Sequence, residues 1–356
     1  MELGLFAQAA HPPERTPFEV QEWNLEILRL IDDLGYTEAW LGEHYTLPWE
    51  PNPAPDILVA QALRETTRIR LGPGGICLPY HNPAVVACRM AWLDQISKGR
   101  FNFGIAAGSV PTDWELLGID GSKVRDMTRE SLEIILKIWS AEEPFEYKGK
   151  YWTINYPKAN PPLSEAHIKP FQKPNPPIGI SGLTANSETL KLAGRSGFIP
   201  MSLNISVAFL KTHWDAYLEG AAESGRTPDR KDWRVCREVV VAETDEQAYK
   251  LATEGGLGRF AREYILRVAK DYGLLQWYKH DPEVPDSDMT VDYMAKHVWI
   301  TGSPATVAEK IESYHEQTGG FGTLLVFGSD YLEQKTQWHE SLQAIAEEVH
   351  PKIKHL

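Results

Sequence analysis

The stretch LGLFAQAAHPP, residues 3–13, decides between the two folds that this chain can adopt. Its first five residues form an apolar run typical of a buried strand, and a helical pattern follows as far as Gly35. An open, doubly wound sheet normally carries a glycine-rich GxGxxG turn directly after its first strand. Residues 7–13 contain no glycine, so the sequence favours a closed parallel barrel over the open sheet.

The rest of the chain repeats the alternation of strand and helix. Several helices carry explicit start signals, such as the capping box formed by Thr244 and Gln247. The eight predicted strands cover residues 3–7, 37–42, 69–77, 101–106, 178–181, 198–203, 234–242 and 324–327. Eight strand–helix units joined by right-handed crossovers predict an α/β fold, the (β/α)8 or TIM barrel.

Two segments interrupt this alternation, and we predict that they are long insertions at about residues 141–177 and 271–297. The first holds eight prolines, which leave room for little regular structure apart from a hairpin near residues 147–154. The second is polar and lacks a clear period. We expect a single barrel domain spanning residues 1–356.

Composition excludes several classes of protein. The 356 residues include 36 Lys and Arg against 49 Asp and Glu, a net charge of −13, without any run of basic residues that would suit nucleic acid. No apolar stretch is long enough to span a membrane, and the N-terminus lacks the basic segment of a signal peptide. The three cysteines lack metal-ligand spacing, so we expect no metal site. These features predict a soluble, cytoplasmic protein.

The residues that follow each strand are the candidates for function, because parallel barrels collect their active-site residues at the carboxyl ends of the strands. His44 follows the second strand. Histidine changes its charge near neutral pH, so it suits a role as an acid, a base or a hydrogen-bond donor. The alternative is a structural histidine that bonds to the neighbouring Glu43.

Glycines mark the third strand, where Gly74 and Gly75 interrupt an otherwise apolar run. Glycine within a strand usually marks a bulge or the close approach of another group. A bound ligand and simple crowding inside the barrel are both consistent with this pair. The fourth strand ends in a stretch of mostly small residues, from Gly104 to Ser109, which leaves space for bulky neighbours or a flat ligand.

The segment SGLTANS, residues 181–187, follows the fifth strand and precedes a helix. Hydroxyl groups and free backbone N–H groups at the start of a helix are what an anionic phosphate needs. The alternative is that Thr184 is only the cap of that helix. Residues 328–330, after the last strand, are a rival anion site, although Asp330 would repel a phosphate.

Five segments in this order resemble the bacterial luciferase-like flavin monooxygenases. They are GEHYTLPWE (42–50), LPYHNPA (78–84), LDQISKGRFNFGIAAG (93–108), SGLTANS (181–187) and HVWITGSPATVAEKI (297–311). Within that superfamily the chain looks most like the diketocamphane monooxygenases, which are type II Baeyer–Villiger enzymes, and next like the limonene monooxygenases. The resemblance runs from Leu3 to about Val349.

The resemblance implies an enzyme that takes reduced FMN from a separate NAD(P)H:flavin reductase and uses O2 to oxygenate a hydrophobic, cyclic ketone or terpene. It also implies a homodimer. Two alternatives remain: an F420-dependent oxidoreductase of the same superfamily, and a flavin-binding protein without turnover. The presence of His44, with space after the third and fourth strands, favours an enzyme.

The resemblance also assigns roles to individual residues. It implies that His44 is catalytic and that the flavin ring lies beside a cis peptide between Gly74 and Gly75. The predicted phosphate loop comprises Ser181, Gly182, Leu183 and Thr184, with Arg125 as a further phosphate ligand. Ala107 stands where the luciferase alpha chain has an arginine, so one phosphate contact is absent. The predicted substrate contacts are Phe6, Tyr45 and Tyr80.

Overall fold

Thirteen strands and fourteen helices make up the described chain. The computed structural model describes residues 1–7 and 10–356. The strands are β1 (Glu2–Ala10), β2 (Glu38–Leu41), β3 (Arg70–Pro73), β4 (Ile76–Cys77), β5 (Phe103–Ala106), β6 (Phe145–Lys148), β7 (Thr153–Tyr156), β8 (Ile178–Gly182), β9 (Ile199–Ser202), β10 (Arg234–Arg237), β11 (Val239–Val241), β12 (Ile300–Gly302) and β13 (Thr323–Ser329).

Helices connect most of these strands. They are α1 (Pro17–Asp33), α2 (Pro55–Glu65), α3 (Pro83–Ser97), α4 (Pro111–Leu117), α5 (Val124–Ser140), α6 (Glu188–Ser196), α7 (Val207–Glu223), α8 (Asp245–Glu254), α9 (Gly256–Phe260), α10 (Leu266–Asp271), α11 (Val291–Tyr293), α12 (Pro304–Thr318), α13 (Lys335–Ala344) and α14 (His350–Ile353). Within the described residues, no helix combines the length and the apolar character that crossing a membrane requires.

The central sheet closes into a barrel. Its strand order is β3-β2-β1-β13-β10-β9-β8-β5-β4, and every neighbouring pair is parallel. Only Gly74 and Gly75 separate β3 from β4, and both halves pair with the segment that contains β5, through a bridge between Leu71 and Phe101 and through Ile76 opposite Ile105. The two halves therefore act as one strand, and eight strands form the ring, as the sequence predicted.

Large side chains fill the barrel where facing strands carry glycine. Trp40 on β2 has no exposed surface, and its indole Nε1 donates to Oε1 of Glu38 at 2.8 Å. A Cβ atom on Gly179 of β8 would lie 2.8 Å from the Trp40 ring. The glycine on one strand thus makes room for the tryptophan of another, and the barrel interior is a packed core rather than a channel.

The seventh predicted strand divides at Glu238. Residues 234–237 stay in the barrel as β10, whereas β11 leaves it and pairs in parallel with β12. The sequence predicted one strand here because apolar residues resume at Val239 directly after Arg237 and Glu238. At the other end of the chain, a π-helical turn over Ile345–Val349 follows α13.

Both insertions are present. The first contains the antiparallel hairpin of β6 and β7, and the carboxylate of Glu130 on α5 accepts the N–H groups of residues 150–152, each at 2.9 Å. The second contains only short turns, the three-residue helix α11 and a π-helical turn over Met294–Val298.

Candidate active site

The carboxyl ends of the barrel strands bring most of the predicted site residues to one rim. The loop 42–52 follows β2, Tyr80 follows β4, Ala107 follows β5 and the loop 181–187 begins at the end of β8. Asn52 closes the first of these loops, because its carbonyl oxygen accepts the N–H of His44 at 3.0 Å and its amide donates to the carbonyl of Gly42 at 2.8 Å.

The partner of His44 is Glu50, not Glu43. Nε2 of His44 lies 3.0 Å from Oε2 of Glu50, and the glutamate is almost fully buried. Nδ1 of His44 is buried and has no hydrogen-bond partner among the described residues. One ring nitrogen is therefore occupied by a carboxylate, and the other is available to a ligand.

The electrostatics of this pair favour the protonated ring. Burial by itself lowers the pKa of His44, but it is outweighed by the charge and hydrogen bond of Glu50 together with smaller contributions from Asp113 and Glu43. The pKa of His44 consequently lies above the ordinary value for histidine. The ring keeps its proton to a higher pH than a free histidine would, which suits a proton donor working near neutral pH.

Glu43 joins the second and third strand ends. Its carboxylate accepts the N–H of Cys77 at 2.6 Å and the hydroxyl of Tyr45 at 2.9 Å, and it lies 2.7 Å from Nε2 of His81. Asp113 on α4 accepts the backbone N–H groups of Tyr45 and Thr46 at 3.3 and 2.8 Å. These two buried carboxylates therefore hold the loop after β2 against its neighbours.

The predicted substrate residues lie in two places. The rings of Tyr45 and Tyr80 meet edge to face with centroids 5.9 Å apart, and the Tyr80 hydroxyl has no hydrogen-bond partner among the described residues. Phe6 lies deeper, almost fully buried inside the barrel and next to Gly74. The two tyrosines thus form part of the rim, whereas Phe6 lies beneath it.

The implied cis peptide at Gly74–Gly75 is wrong for this structure. Among the described residues, the cis bonds are Pro161–Pro162 and Lys173–Pro174. Glycine is required here by crowding, since a Cβ atom on Gly75 would lie 2.5 Å from the backbone of Gly104 and Ile105. This is the packing alternative that the sequence had left open, and it does not exclude a ligand above the pair.

The loop 181–187 is exposed at Thr184, Ala185 and Asn186. Thr184 is not a helix cap: α6 begins at Glu188, and the side chain of Ser187 accepts the N–H of Leu190 at 3.4 Å. Asn186 adopts a left-handed conformation with φ of 51°, which delays the helix beyond the threonine. The hydroxyl and N–H of Thr184 therefore remain available to a ligand beside the start of α6.

The rival anion site after β13 is occupied by internal contacts. The carboxylate of Asp330 lies 2.8 Å from Nδ1 of His11 and accepts from Nε of Arg15 at 3.0 Å. This buried cluster uses the charge of Asp330 within the protein. The loop 181–187 is thus the better anion site of the two.

Comparison with known proteins now decides the family. The sequence profile of the luciferase-like monooxygenases matches residues 1–319. This chain belongs to the luciferase-like monooxygenase family. The barrel and the family membership inferred from the sequence are both confirmed.

Characterised relatives of this luciferase-like chain cover nearly its whole length. It is 35% identical to 2,5-diketocamphane 1,2-monooxygenase 1 of Pseudomonas putida, over 99% of each chain. It is 30% identical to limonene 1,2-monooxygenase of Rhodococcus erythropolis, over 99% of this chain and 86% of that one. The prediction of an oxygenating enzyme agrees with these names.

A solved structure shares the fold closely. The oxygenating constituent of 3,6-diketocamphane monooxygenase from Pseudomonas putida, a type II Baeyer–Villiger monooxygenase crystallised with FMN, has 35% sequence identity and a TM-score of 0.94. The alignment covers 99% of this chain and 98% of that one. The flavin bound in that complex is the one that the sequence analysis predicted.

Two residues predicted to lie near a phosphate remain predictions in this luciferase-like chain. Arg125 is exposed in the first turn of α5 and makes no ion pair among the described residues, so its guanidinium is available to an anion. Ala107 lies beside Gly108, whose positive φ of 77° lets the loop pass against the Tyr80 hydroxyl. A side chain on Gly108 would overlap that hydroxyl.

Sequence reasoning missed several polar groups of this luciferase-like rim. Three strand-end residues carry a buried side-chain atom without a hydrogen-bond partner among the described residues: Asn204 (Oδ1), Arg237 (Nε) and Glu238 (Oε2). Glu50, the partner of His44, was missed as well. Glu50 ends the first of the five family segments, six positions after His44. Its position in that loop was the available signal, but only the fold shows that the loop returns to the histidine.

Replacing Glu50 with glutamine is expected to lower the pKa of His44, because it removes the charge that contributes most to raising it. The ring then loses its proton at a lower pH, and any activity that needs the protonated ring declines at a correspondingly lower pH. NMR titration of the His44 ring protons in wild type and Glu50→Gln measures this directly. An unchanged or higher pKa would show that Glu50 does not control the histidine.

Proposed function

We propose that this protein is the oxygenase of a two-component flavin system. It takes reduced FMN from a separate NAD(P)H:flavin reductase and uses O2 to insert one oxygen atom into a hydrophobic, cyclic ketone or terpene. The observation that carries the proposal is the pairing of His44 and Glu50 on the same barrel rim as the exposed loop 181–187. We expect it in the cytoplasm, where NAD(P)H is available to the reductase.

The rim fits FMN on several grounds. The hydroxyl and N–H of Thr184, the N–H of Ala185 and the start of α6 suit a phosphate. Buried polar atoms without partners, including Tyr80 Oη and Asn204 Oδ1, suit the N–H and carbonyl groups of a flavin ring. Reduced FMN, when bound, supplies the electrons that activate O2.

The chain's own residues orient the reactants and manage one proton. Nε2 of His44 lies against Glu50, so the proton to be given or taken is the one at Nδ1, the nitrogen without a partner. Glu43 accepts a hydrogen bond from the hydroxyl of Tyr45, and this keeps the ring of Tyr45 in place beside His44. An acid at this position supplies a proton to developing negative charge during oxygen transfer.

The proposed substrate class rests on the aromatic side chains at the rim and on the names of the relatives. Tyr45 and Tyr80 present aromatic surface at the rim, with Phe6 beneath. Two of the relatives with 30–35% identity are named for diketocamphane and limonene, which are cyclic terpenoids. Phe6, Tyr45 and Tyr80 remain the proposed substrate contacts, and Baeyer–Villiger insertion is the proposed reaction with a ketone.

The test is turnover with isotopically labelled oxygen. The purified protein, FMN, NAD(P)H and a flavin reductase are incubated under ¹⁸O2 with a panel of cyclic ketones and terpenes. We expect one ¹⁸O atom in the product, and no product without the reductase. Turnover with reduced F420 in place of FMN, without oxygen incorporation, would identify a hydride-transferring enzyme. Tight FMN binding without turnover on the whole panel would identify a flavin-binding protein.

We also propose that α3 forms the interface of a homodimer. One face of the helix is buried in the barrel, and the opposite face carries an apolar stripe of exposed Val85, Cys88, Trp92 and Ile96, flanked by Arg89 and Gln95. Trp92 is 56% exposed, and Ile57 on the adjacent α2 is 59% exposed. A contiguous exposed apolar patch normally marks an interaction site, and we propose that a second copy of the chain covers this stripe.

Replacing Trp92 with glutamate is expected to give a monomer, because a charge in the centre of an apolar interface must be buried without a partner. Sedimentation equilibrium at micromolar concentration measures the change. Leu218→Glu is the control, since Leu218 is an exposed leucine on α7, away from the stripe, and its variant should remain dimeric. A wild-type monomer, or a Trp92→Glu dimer, would contradict the proposed interface.

A further inference from the structure

A buried histidine outside the rim joins separate parts of the barrel. His213 lies on α7 with no exposed surface. Its Nε2 is 2.9 Å from the carbonyl oxygen of Thr184, and its Nδ1 is 2.9 Å from Oγ of Ser202 at the end of β9. Nε1 of Trp233 donates to the same serine hydroxyl at 2.9 Å. These contacts connect α7, β9 and the segment before β10 to the loop 181–187.

Only one arrangement of protons satisfies all the hydrogen bonds of this network. The carbonyl of Thr184 can only accept, so Nε2 of His213 carries a hydrogen. The indole of Trp233 can only donate, so the Ser202 oxygen accepts from it and gives its own hydrogen to Nδ1 of His213. The neutral ring that this requires agrees with burial, which lowers the pKa of His213 to about 4. Each of the four groups in this hydrogen-bond network then has its partner.

The hydrogen bonds of His213 fix the orientation of the Thr184–Ala185 peptide group in the loop. In a planar trans peptide the C=O and the following N–H point in opposite directions. Because His213 draws the carbonyl of Thr184 inward, the N–H of Ala185 points away from α7. That N–H donates to no group among the described residues, and Ala185 is exposed. Thr212, next to His213, accepts the N–H of Asn186 at 3.0 Å and holds the other side of the turn.

We propose that His213 is the positioning residue of the anion-binding loop, and that it holds the Thr184–Ala185 peptide with its N–H directed at the phosphate of the flavin. This inference rests on the proposed function, because the phosphate is that of FMN. His213 itself does not touch the ligand. Its effect is therefore specific to the phosphate and leaves contacts with the flavin ring unchanged.

The test compares FMN with riboflavin, which lacks the phosphate, by titration with the oxidised flavins. His213→Leu is expected to reduce the preference for FMN over riboflavin at least about tenfold, the loss typical of one hydrogen bond to a charged group, with the riboflavin Kd unchanged. His213→Gln, whose amide N–H can still reach the Thr184 carbonyl, should restore most of the preference. Equal weakening of both ligands, or an unchanged preference, would overturn the proposal.

Tyr217→Phe is the matched control. Tyr217 lies on the same helix, and its hydroxyl donates to the carbonyl of Phe198 at 3.1 Å, so this variant also removes one buried side-chain bond to a carbonyl. It should leave the preference for FMN intact. If it reduces the preference as much as His213→Leu does, the effect is general loosening of α7, and the positioning role is wrong.

A measurement on the ligand-free protein separates this proposal from the proposed function. The amide of Asn186 is protected by Thr212, and its hydrogen exchange should be faster in His213→Leu but not in Tyr217→Phe. Unchanged exchange overturns the positioning role whether or not flavin binds. If His213→Leu does not fold, Ser202→Ala, which keeps the histidine but removes its hydroxyl partner, should show both effects more weakly. Wild type that binds neither flavin would overturn the proposed function alone.

Discussion

Replacing His44 with alanine is expected to slow product formation by roughly 10²–10⁴-fold, the contribution of a positioned acid or base. FMN affinity should change little, because the proposed phosphate contacts lie on another loop. The reducing equivalents that no longer reach product should appear as hydrogen peroxide. Product and peroxide per NAD(P)H consumed, measured together on His44→Ala, test this expectation.

The same variant also tests the structural alternative. If His44 serves only to anchor the loop after β2 through Glu50, its removal lowers the melting temperature and leaves the ratio of product to peroxide unchanged. That result would exclude His44 from the mechanism. A changed ratio in a protein of normal stability would instead assign the effect to the chemistry.

Replacing Glu43 with leucine is expected to cost about 3–5 kcal/mol of the free energy of unfolding, as when one partner of a buried charged network is removed. The backbone N–H of Cys77, the hydroxyl of Tyr45 and the ring of His81 all lose the same buried carboxylate. Urea unfolding followed by tryptophan fluorescence measures the change.

Glu43→Gln is the matched variant for this prediction. Its amide keeps one acceptor oxygen for Cys77 or Tyr45 and nearly the same volume, so it should cost clearly less than leucine. Equal costs for the two variants would show that packing, rather than hydrogen bonding, makes Glu43 important. A cost below about 1 kcal/mol for leucine, the worth of one ordinary hydrogen bond, would show that the rim does not depend on this carboxylate.

The positions of function were predictable because the fold confines them. Once eight strand–helix units had been recognised, His44, Tyr80 and the loop 181–187 were expected at one end of the barrel, and the structure places them there. Their partners were not predictable in the same way. The structural alternative for His44 was a bond to Glu43, its neighbour in sequence. Adjacent residues of an extended segment point in opposite directions, however, and Glu43 turns to Cys77 and His81 instead.

Two elements differ from prediction, each for its own reason. The strand predicted at 234–242 divides at Glu238, and the helix predicted at Thr184 begins only at Glu188. The helix begins late because Asn186 adopts a left-handed conformation, and the strand divides because β11 pairs with β12, a partner distant in sequence. Local periodicity carries no information about such partners.

The sequence by itself determined the closed α/β barrel, the family and the strand ends at which chemistry is found. Periodic burial and turn residues are local properties, and eight repeats of them allow few other architectures. Only the tertiary structure decided that Glu50 faces His44, that crowding and not a cis bond explains Gly74 and Gly75, and that His213 supports the loop 181–187. Each of these depends on side chains or backbone groups that only the closed barrel brings within hydrogen-bonding or van der Waals distance.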